Sequence, residues 1–208
     1  MPLKTQFIPA AEAASKRLML VMHGLGDSTA GYTWLPAAMR LPWLNYLLVN
    51  APDPYYGGYS WFDFMGDANP GIERSRAWIV DLLDEQRRRG FPTDQTLLFG
   101  FSQGCLMALE VGLTYPQRFA GIVGISGFVV DLDSLLARLS PQAKEQRLLI
   151  THGRWDNLLP MGVTKAQIQR LIAAGLAIEW REFDKDHTIA GEEELAVLRD
   201  FIKKSYPQ

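Results

Sequence analysis

Five residues, Gly100-Phe101-Ser102-Gln103-Gly104, stand between a β-type apolar run, Thr96-Leu97-Leu98-Phe99, and a helical apolar pattern through Leu106, Met107, Leu109, Val111 and Leu113 that stops at Tyr115-Pro116. A strand that turns directly into a helix forces the corner residue into a strained backbone conformation, and the turn closes only if the flanking residues are small. Gly100 and Gly104 meet that requirement. The pattern G-x-S-x-G is weak alone, but strand and helix in the right order around it make it read as a nucleophile elbow.

The rest of the chain alternates in the same way. Leu18 to Met22, Tyr46 to Val49, Thr96 to Phe101, Phe119 to Ile125, Leu148 to Thr151 and Ile178 to Phe183 read as strands. A helix is expected from Asn69-Pro70, with Asn69 as N-cap, to Gly90 before Pro92, its Ile72, Ile79, Leu82 and Leu83 on one face. Further helices are expected at about 103–115, 161–174 and 191–204. This β-α alternation predicts an α/β fold with a mostly parallel sheet covered on both faces. In such sheets ligands bind outside the carboxyl ends of the strands, so the loops after each strand carry the chemistry.

With 208 residues and no composition shift or linker, the expectation is a single domain over 1–208. A net charge of -2 gives no electrostatic reason to expect nucleic acid. The apolar run Leu18 to Met22 is far short of the ~20 residues a membrane-spanning helix needs, and residues 1–17 lack a signal-peptide core, so a cytoplasmic location is expected. The single cysteine, Cys105, excludes an internal disulfide and reads as a small buried packing residue.

A serine hydroxyl needs a base to take its proton, and that base needs an acid to fix its tautomer. His187 follows the last predicted strand and is the chosen base; Asp156, on the loop after Leu148 to Thr151, is the chosen acid. Asp184 and Asp186 are rivals, but a near neighbour on a short loop is badly placed to reach the ring of His187. The chain order Ser102, Asp156, His187 is that of α/β-hydrolases rather than of chymotrypsin or subtilisin.

Acyl transfer also needs donors for the oxygen that becomes negative. The backbone N–H of Gln103 is one, and the loop Met22-His23-Gly24-Leu25-Gly26-Asp27 supplies the other through Leu25. That loop lacks both phosphate-cradling patterns, G-x-x-x-x-G-K-[ST] and G-x-G-x-x-G. His23 and His152 read as hydrogen-bonding loop anchors, and no histidine pair has metal-ligand spacing, so no catalytic metal is expected. The aromatic stretch Tyr55 to Phe64 has no clear period; beyond simple packing it suits an acyl-binding wall or a flap hinged at Gly57-Gly58. Arg87-Arg88-Arg89 complements a helix C-terminus.

HGLGD at 23–27, NAP at 50–52, SWFD at 60–63, GFSQG at 100–104, YPQRFAGIVGISG at 115–127, HGRWDNLLP at 152–160 and DH at 186–187 together resemble the phospholipase/carboxylesterase family of α/β-hydrolases, which includes acyl-protein thioesterases and small bacterial carboxylesterases. The resemblance spans nearly the whole chain. It implies a cofactor-free serine hydrolase of carboxylic esters or thioesters, with Ser102 as nucleophile, Asp156 as acid, His187 as base, and Leu25 and Gln103 as oxyanion donors. It further implies small-molecule, acylated-protein or lysophospholipid substrates. Cys105 stands where these proteins often carry glycine, and segment 53–70 is idiosyncratic, so Leu25, Trp61 and Leu158 are named only as acyl-pocket candidates. An apolar flap around Trp61 would serve a homodimer interface as readily as a lipid tail. The alternatives are a catalytically silent scaffold that binds a ligand or partner, or another hydrolase such as a peptidase, lipase or dienelactone hydrolase.

Overall fold

The computed structural model describes residues 3–206. Six strands arise where the sequence reading expects them: β2 (Leu18–Met22), β3 (Asn45–Val49), β6 (Thr96–Phe101), β7 (Gly121–Ile125), β8 (Arg147–Gly153) and β9 (Ala177–Phe183). Together with the N-terminal β1 (Thr5–Ile8) they form a seven-stranded sheet of order β1-β3-β2-β6-β7-β8-β9. All neighbours are parallel except β1, which pairs antiparallel with β3, Thr5 opposite Val49. β2, β3, β6 and β7 are buried along their length apart from Phe101 at the carboxyl end of β6, as a parallel sheet covered on both faces requires.

Alternate residues of each strand feed two separate apolar layers. Leu18, Leu20, Met22, Leu98 and Ile150 pack on one side with α2 (Asn69–Arg88), α3 (Gln103–Thr114) and α5 (Met161–Ala173), while α4 (Leu132–Ala137) adds Leu132 and Leu135. Met19, Val21, Phe99 and Leu149 pack on the other with α1 (Leu35–Met39) and α6 (Gly191–Ser205). α3 is mostly apolar and buried on nearly every side, with its Glu110 paired to Arg138, as the central helix of such a layer must be.

Several boundaries differ from the sequence reading. The strand expected from Phe119 begins at Gly121, and β8 runs on to Gly153 because all seven of its residues pair with β9. Asn69 is the first residue of α2 rather than its cap; its N–H is taken by the carboxylate of Asp67 at 3.1 Å. Arg87 and Arg89 do sit at the helix end, paired with Asp84 and Glu85.

The largest correction concerns the aromatic stretch, part of which is a β-hairpin: β4 (Asp53–Tyr55) pairs antiparallel with β5 (Gly58–Ser60). Its turn puts Tyr56 at φ 41° and Gly57 at φ 89°, the two positive values a type I′ turn demands, so Gly57 serves turn geometry. Gly58 serves a close approach, since a Cβ there would lie 2.0 Å from the carbonyl oxygen of Gly26. The hairpin is laced to the 23–28 loop by Gly26 N–H to Tyr59 O and Tyr59 N–H to Asp27 O, both 2.9 Å.

Candidate active site

Ser102 stands at the corner between β6 and α3 with φ 54° and ψ −117°, a left-handed conformation that costs a non-glycine residue about 1–3 kcal/mol. Its surroundings hold it there. A Cβ on Gly100 would lie 2.0 Å from Gly104 O, one on Gly104 2.1 Å from Met22 O, and Ser102 N–H donates to Ile125 O at 2.9 Å. The small flanking residues read from the sequence are thus required by backbone contacts on both sides.

Three side chains from three different strand ends meet here. His187 Nε2 lies 2.9 Å from Ser102 Oγ, and His187 Nδ1 lies 2.7 Å from Asp156 Oδ2. The proton on Nδ1 faces the carboxylate, leaving Nε2 to accept from the serine. Asp156 is buried, and its other oxygen accepts the N–H groups of Leu158 at 3.1 Å and Leu159 at 2.8 Å. The Phe101 ring packs 5.0 Å from the His187 ring and limits its rotation. The two rival acids point elsewhere: Asp184 pairs with Arg154 at 2.6 Å, and Asp186 is exposed.

The remaining histidines are buried anchors. His23 donates from Nδ1 to Gly24 O at 2.6 Å and accepts Ala51 N–H at Nε2 at 3.0 Å. His152 donates from Nε2 to Leu159 O at 2.8 Å, with Asp156 Oδ2 3.4 Å away, and stacks on Trp180. Burial lowers both imidazoles below the ordinary histidine range, so they are held neutral.

The 23–28 loop reaches the serine. A Cβ on Gly24 would come within 3.3 Å of Ser102 Cβ, which puts Leu25 one residue from the closest approach. Gln103 opens α3, where a backbone N–H has no intrahelical acceptor. Its side chain does something the sequence did not suggest: Oε1 accepts Trp61 N–H at 3.0 Å and the Ser60 hydroxyl at 3.2 Å, while Nε2 donates to Phe62 O at 3.1 Å.

Trp61, named as an acyl-pocket candidate, is fully buried. Its indole donates to His23 O at 2.9 Å, so it packs behind the site rather than lining it. Leu158, another of those candidates, is 73% exposed on the loop beside Asp156, at the rim of the site. Cys105 is buried under the elbow, where its Sγ fills the space above Gly124 and Gly127, and burial pushes its thiol up to about 12. A cleft of about 370 Å³ opens beside His187, walled by Asp27, Tyr32, Trp34, Phe101 and Ile189. Tyr32 ends a short 3₁₀ turn (Thr29–Tyr32) and Trp34 stands just before α1, a stretch too short for a period to show, so neither carries a sequence signal. Among the described residues no group of three or more His, Cys, Asp or Glu is arranged to hold a metal, and no helix is long and apolar enough to cross a membrane.

A mostly parallel sheet with a serine at a strand-to-helix corner, backed by histidine and aspartate from later strand ends, defines the α/β-hydrolase class. The Phospholipase/Carboxylesterase family model matches residues 3–206, and the chain belongs to that family. It is 33% identical over 200 residues to acyl-protein thioesterase 1 of Schizosaccharomyces pombe, covering 87% of this chain and 88% of the relative. It is 28% identical over 212 residues to a probable carboxylesterase of Oryza sativa subsp. japonica, covering 93% and 79% respectively. The crystal structure of esterase PE8 superimposes with a TM-score of 0.86 at 27% identity, covering 99% of this chain and all of that one. The protein is a serine hydrolase of the carboxylesterase class.

Proposed function

We propose that the chain works as one domain in which His187 deprotonates Ser102 and the serine oxygen attacks an ester or thioester carbonyl. The tetrahedral oxyanion is received by the backbone N–H groups of Leu25 and Gln103. His187 then protonates the departing alcohol or thiol, leaving an acyl-enzyme on Ser102, and afterwards takes a proton from the water that releases the acid. Asp156 fixes the imidazole tautomer and stabilises the imidazolium. The observation that carries this reading is the unbroken hydrogen-bonded line from Ser102 Oγ through His187 to Asp156.

The substrates are small acyl esters or thioesters, with acylated proteins and lysophospholipids as the larger members of the class, and Leu158 borders the acyl chain. The enzyme works in the cytoplasm. Similarity to acyl-protein thioesterases and to a carboxylesterase supports both ends of that range. A homodimer would form without a flap around Trp61, since that side chain is buried.

Hydrolysis of p-nitrophenyl esters from acetate to palmitate, each with Ser102→Ala as blank, tests the proposal. Loss of roughly 10³-fold or more in kcat in the variant is expected. Near wild-type turnover in Ser102→Ala would overturn it, and absence of turnover together with no fluorophosphonate labelling of wild type would favour a binding scaffold. Leu158→Ser is expected to raise KM for long-chain esters more than for acetate, with stability unchanged.

A further inference from the structure

Lys185 and Glu194 form an ion pair sealed inside the protein, with side chains 3% and 0% exposed. Lys185 lies two residues before His187, on the loop joining β9 to α6; Glu194 lies in the first turn of α6. The ammonium donates to both carboxylate oxygens, at 2.7 and 2.8 Å. The same carboxylate accepts the Thr151 hydroxyl from β8 and, at 2.6 Å, the N–H of Ala190 just before α6. Glu194 is therefore the point where the strand feeding the Asp156 loop, the His187 loop and α6 are tied together. Lys185 also holds the Asp156 loop through its backbone, whose carbonyl accepts Trp155 N–H at 3.1 Å and lies so close to Gly153 that a Cβ there would be 2.3 Å away.

Burying two charges is costly, and a well-packed apolar pair of similar volume commonly serves stability as well or better. A fully satisfied buried pair does differ from an apolar one in fixing direction: it accepts one arrangement of the backbones that carry it. Here those backbones carry the acid and the base.

We propose that the Lys185–Glu194 pair positions His187, holding the 184–190 loop in register with the Asp156 loop so that the imidazole bridges Ser102 and Asp156. This rests on the roles given above to Ser102, His187 and Asp156. Both residues are positioning residues, acting through the loop without touching substrate. A second consequence is electrostatic. Glu194 neutralises an ammonium that also faces Asp156 from the neighbouring loop, Asp186 on its own loop and His152 on β8, close to where the reaction builds an imidazolium. Burial pushes the Lys185 ammonium below its usual range and Glu194 opposes that shift.

The test is steady-state kinetics with p-nitrophenyl butyrate and thermal unfolding for Lys185→Met/Glu194→Leu and Glu194→Gln, beside wild type and Ser102→Ala. Displacing a catalytic group by an ångström commonly costs about 100-fold in rate. The apolar double variant is therefore expected to keep or raise its melting temperature while kcat falls at least fivefold, with KM within about twofold. A folded double variant with a smaller loss overturns the proposal. If the double variant does not fold, Glu194→Gln decides. It removes the carboxylate that keeps Lys185 protonated, so the tie between the two loops is lost whether or not the amine keeps its proton, and kcat is expected to fall at least fivefold with KM within about twofold. A folded Glu194→Gln variant with a smaller loss overturns the proposal. Absence of Ser102-dependent turnover in wild type would instead overturn the roles of Ser102, His187 and Asp156.

Discussion

The indole Nε1 of Trp61 donates to the carbonyl oxygen of His23 at 2.9 Å, joining the residue after β5 to the start of the loop that carries Leu25. The backbone of Trp61 is held from the other side. Its N–H donates to Gln103 Oε1 at 3.0 Å, and its carbonyl accepts the Ser75 hydroxyl of α2 at 2.5 Å. Trp61 is a strut between the two backbone segments assigned to the oxyanion, and its size matters as much as its N–H because it is fully buried.

Trp61→Phe keeps most of the apolar volume and leaves a buried carbonyl without its donor, at a cost of about 1–3 kcal/mol. A fall in melting temperature of about 2–10 °C is expected. A drop in kcat/KM for p-nitrophenyl butyrate should accompany it, because Leu25 is released. Unchanged kcat in a destabilised variant would confine Trp61 to a packing role.

Asp156→Asn tests the carboxylate without emptying its place. An amide can still accept from Leu158 and Leu159, but it presents a donor to His187 Nδ1 and so favours the tautomer whose Nε2 cannot take the serine proton. A loss of about 10⁴-fold in kcat with little change in melting temperature is expected. A variant within tenfold of wild type would remove Asp156 from the proposed machinery.

Stability should depend on pH through the two buried histidines. His23 accepts Ala51 N–H at Nε2, so a proton there would set two donors face to face, and burial lowers both His23 and His152 in the fold. In the unfolded chain their value returns to about 6.5, so the unfolded state binds protons first as pH falls. Their contribution is fully present above about pH 6.5 and is lost progressively below it. Denaturant unfolding should accordingly give a lower free energy at pH 5.5 than at pH 7.5, with a shallower decline in His23→Gln; a flat wild-type profile would contradict this.

Gly104→Ala should damage the fold rather than the chemistry alone. The added Cβ would meet Met22 O at 2.1 Å and His23 O at 2.7 Å, backbone atoms of the buried strand β2 and its loop that cannot step aside. A cost of about 3 kcal/mol or more is expected, read as a fall in melting temperature or loss of soluble protein. Gly162→Ala is the control. It lies in α5 with nothing within 4 Å of the added Cβ, and should be neutral or slightly stabilising.

How far each element could be read from the residues follows from how local its cause is. The buried strands announce themselves as continuous apolar runs. β1 does not: Thr5–Ile8 is largely exposed and is a strand because it pairs with β3. The β4–β5 hairpin was hidden by its aromatic content and by a positive φ at Tyr56, a residue type that seldom marks such a turn. The short helices α1 and α4 have too few residues for a 3.6-residue period to show.

The same distinction divides the site. The elbow is legible because its demands fall on five consecutive residues: a serine at φ 54° and small neighbours to let the backbones pass. The order of strands and helices is legible too, since each is written in its own apolar period. Which aspartate meets His187, and that Trp61 is a buried strut rather than a pocket wall, depend on contacts between residues 31 and 38 positions apart in the chain. Glu194 is the sharpest case. It sits in an acidic first turn that a helix N-terminus would favour at the surface, yet the rotation of α6 against the sheet turns it inward onto Lys185 and Thr151. Local backbone chemistry is carried by neighbours in sequence. Burial and partnership are set by how whole elements pack, and only the assembled sheet and its helices fix them.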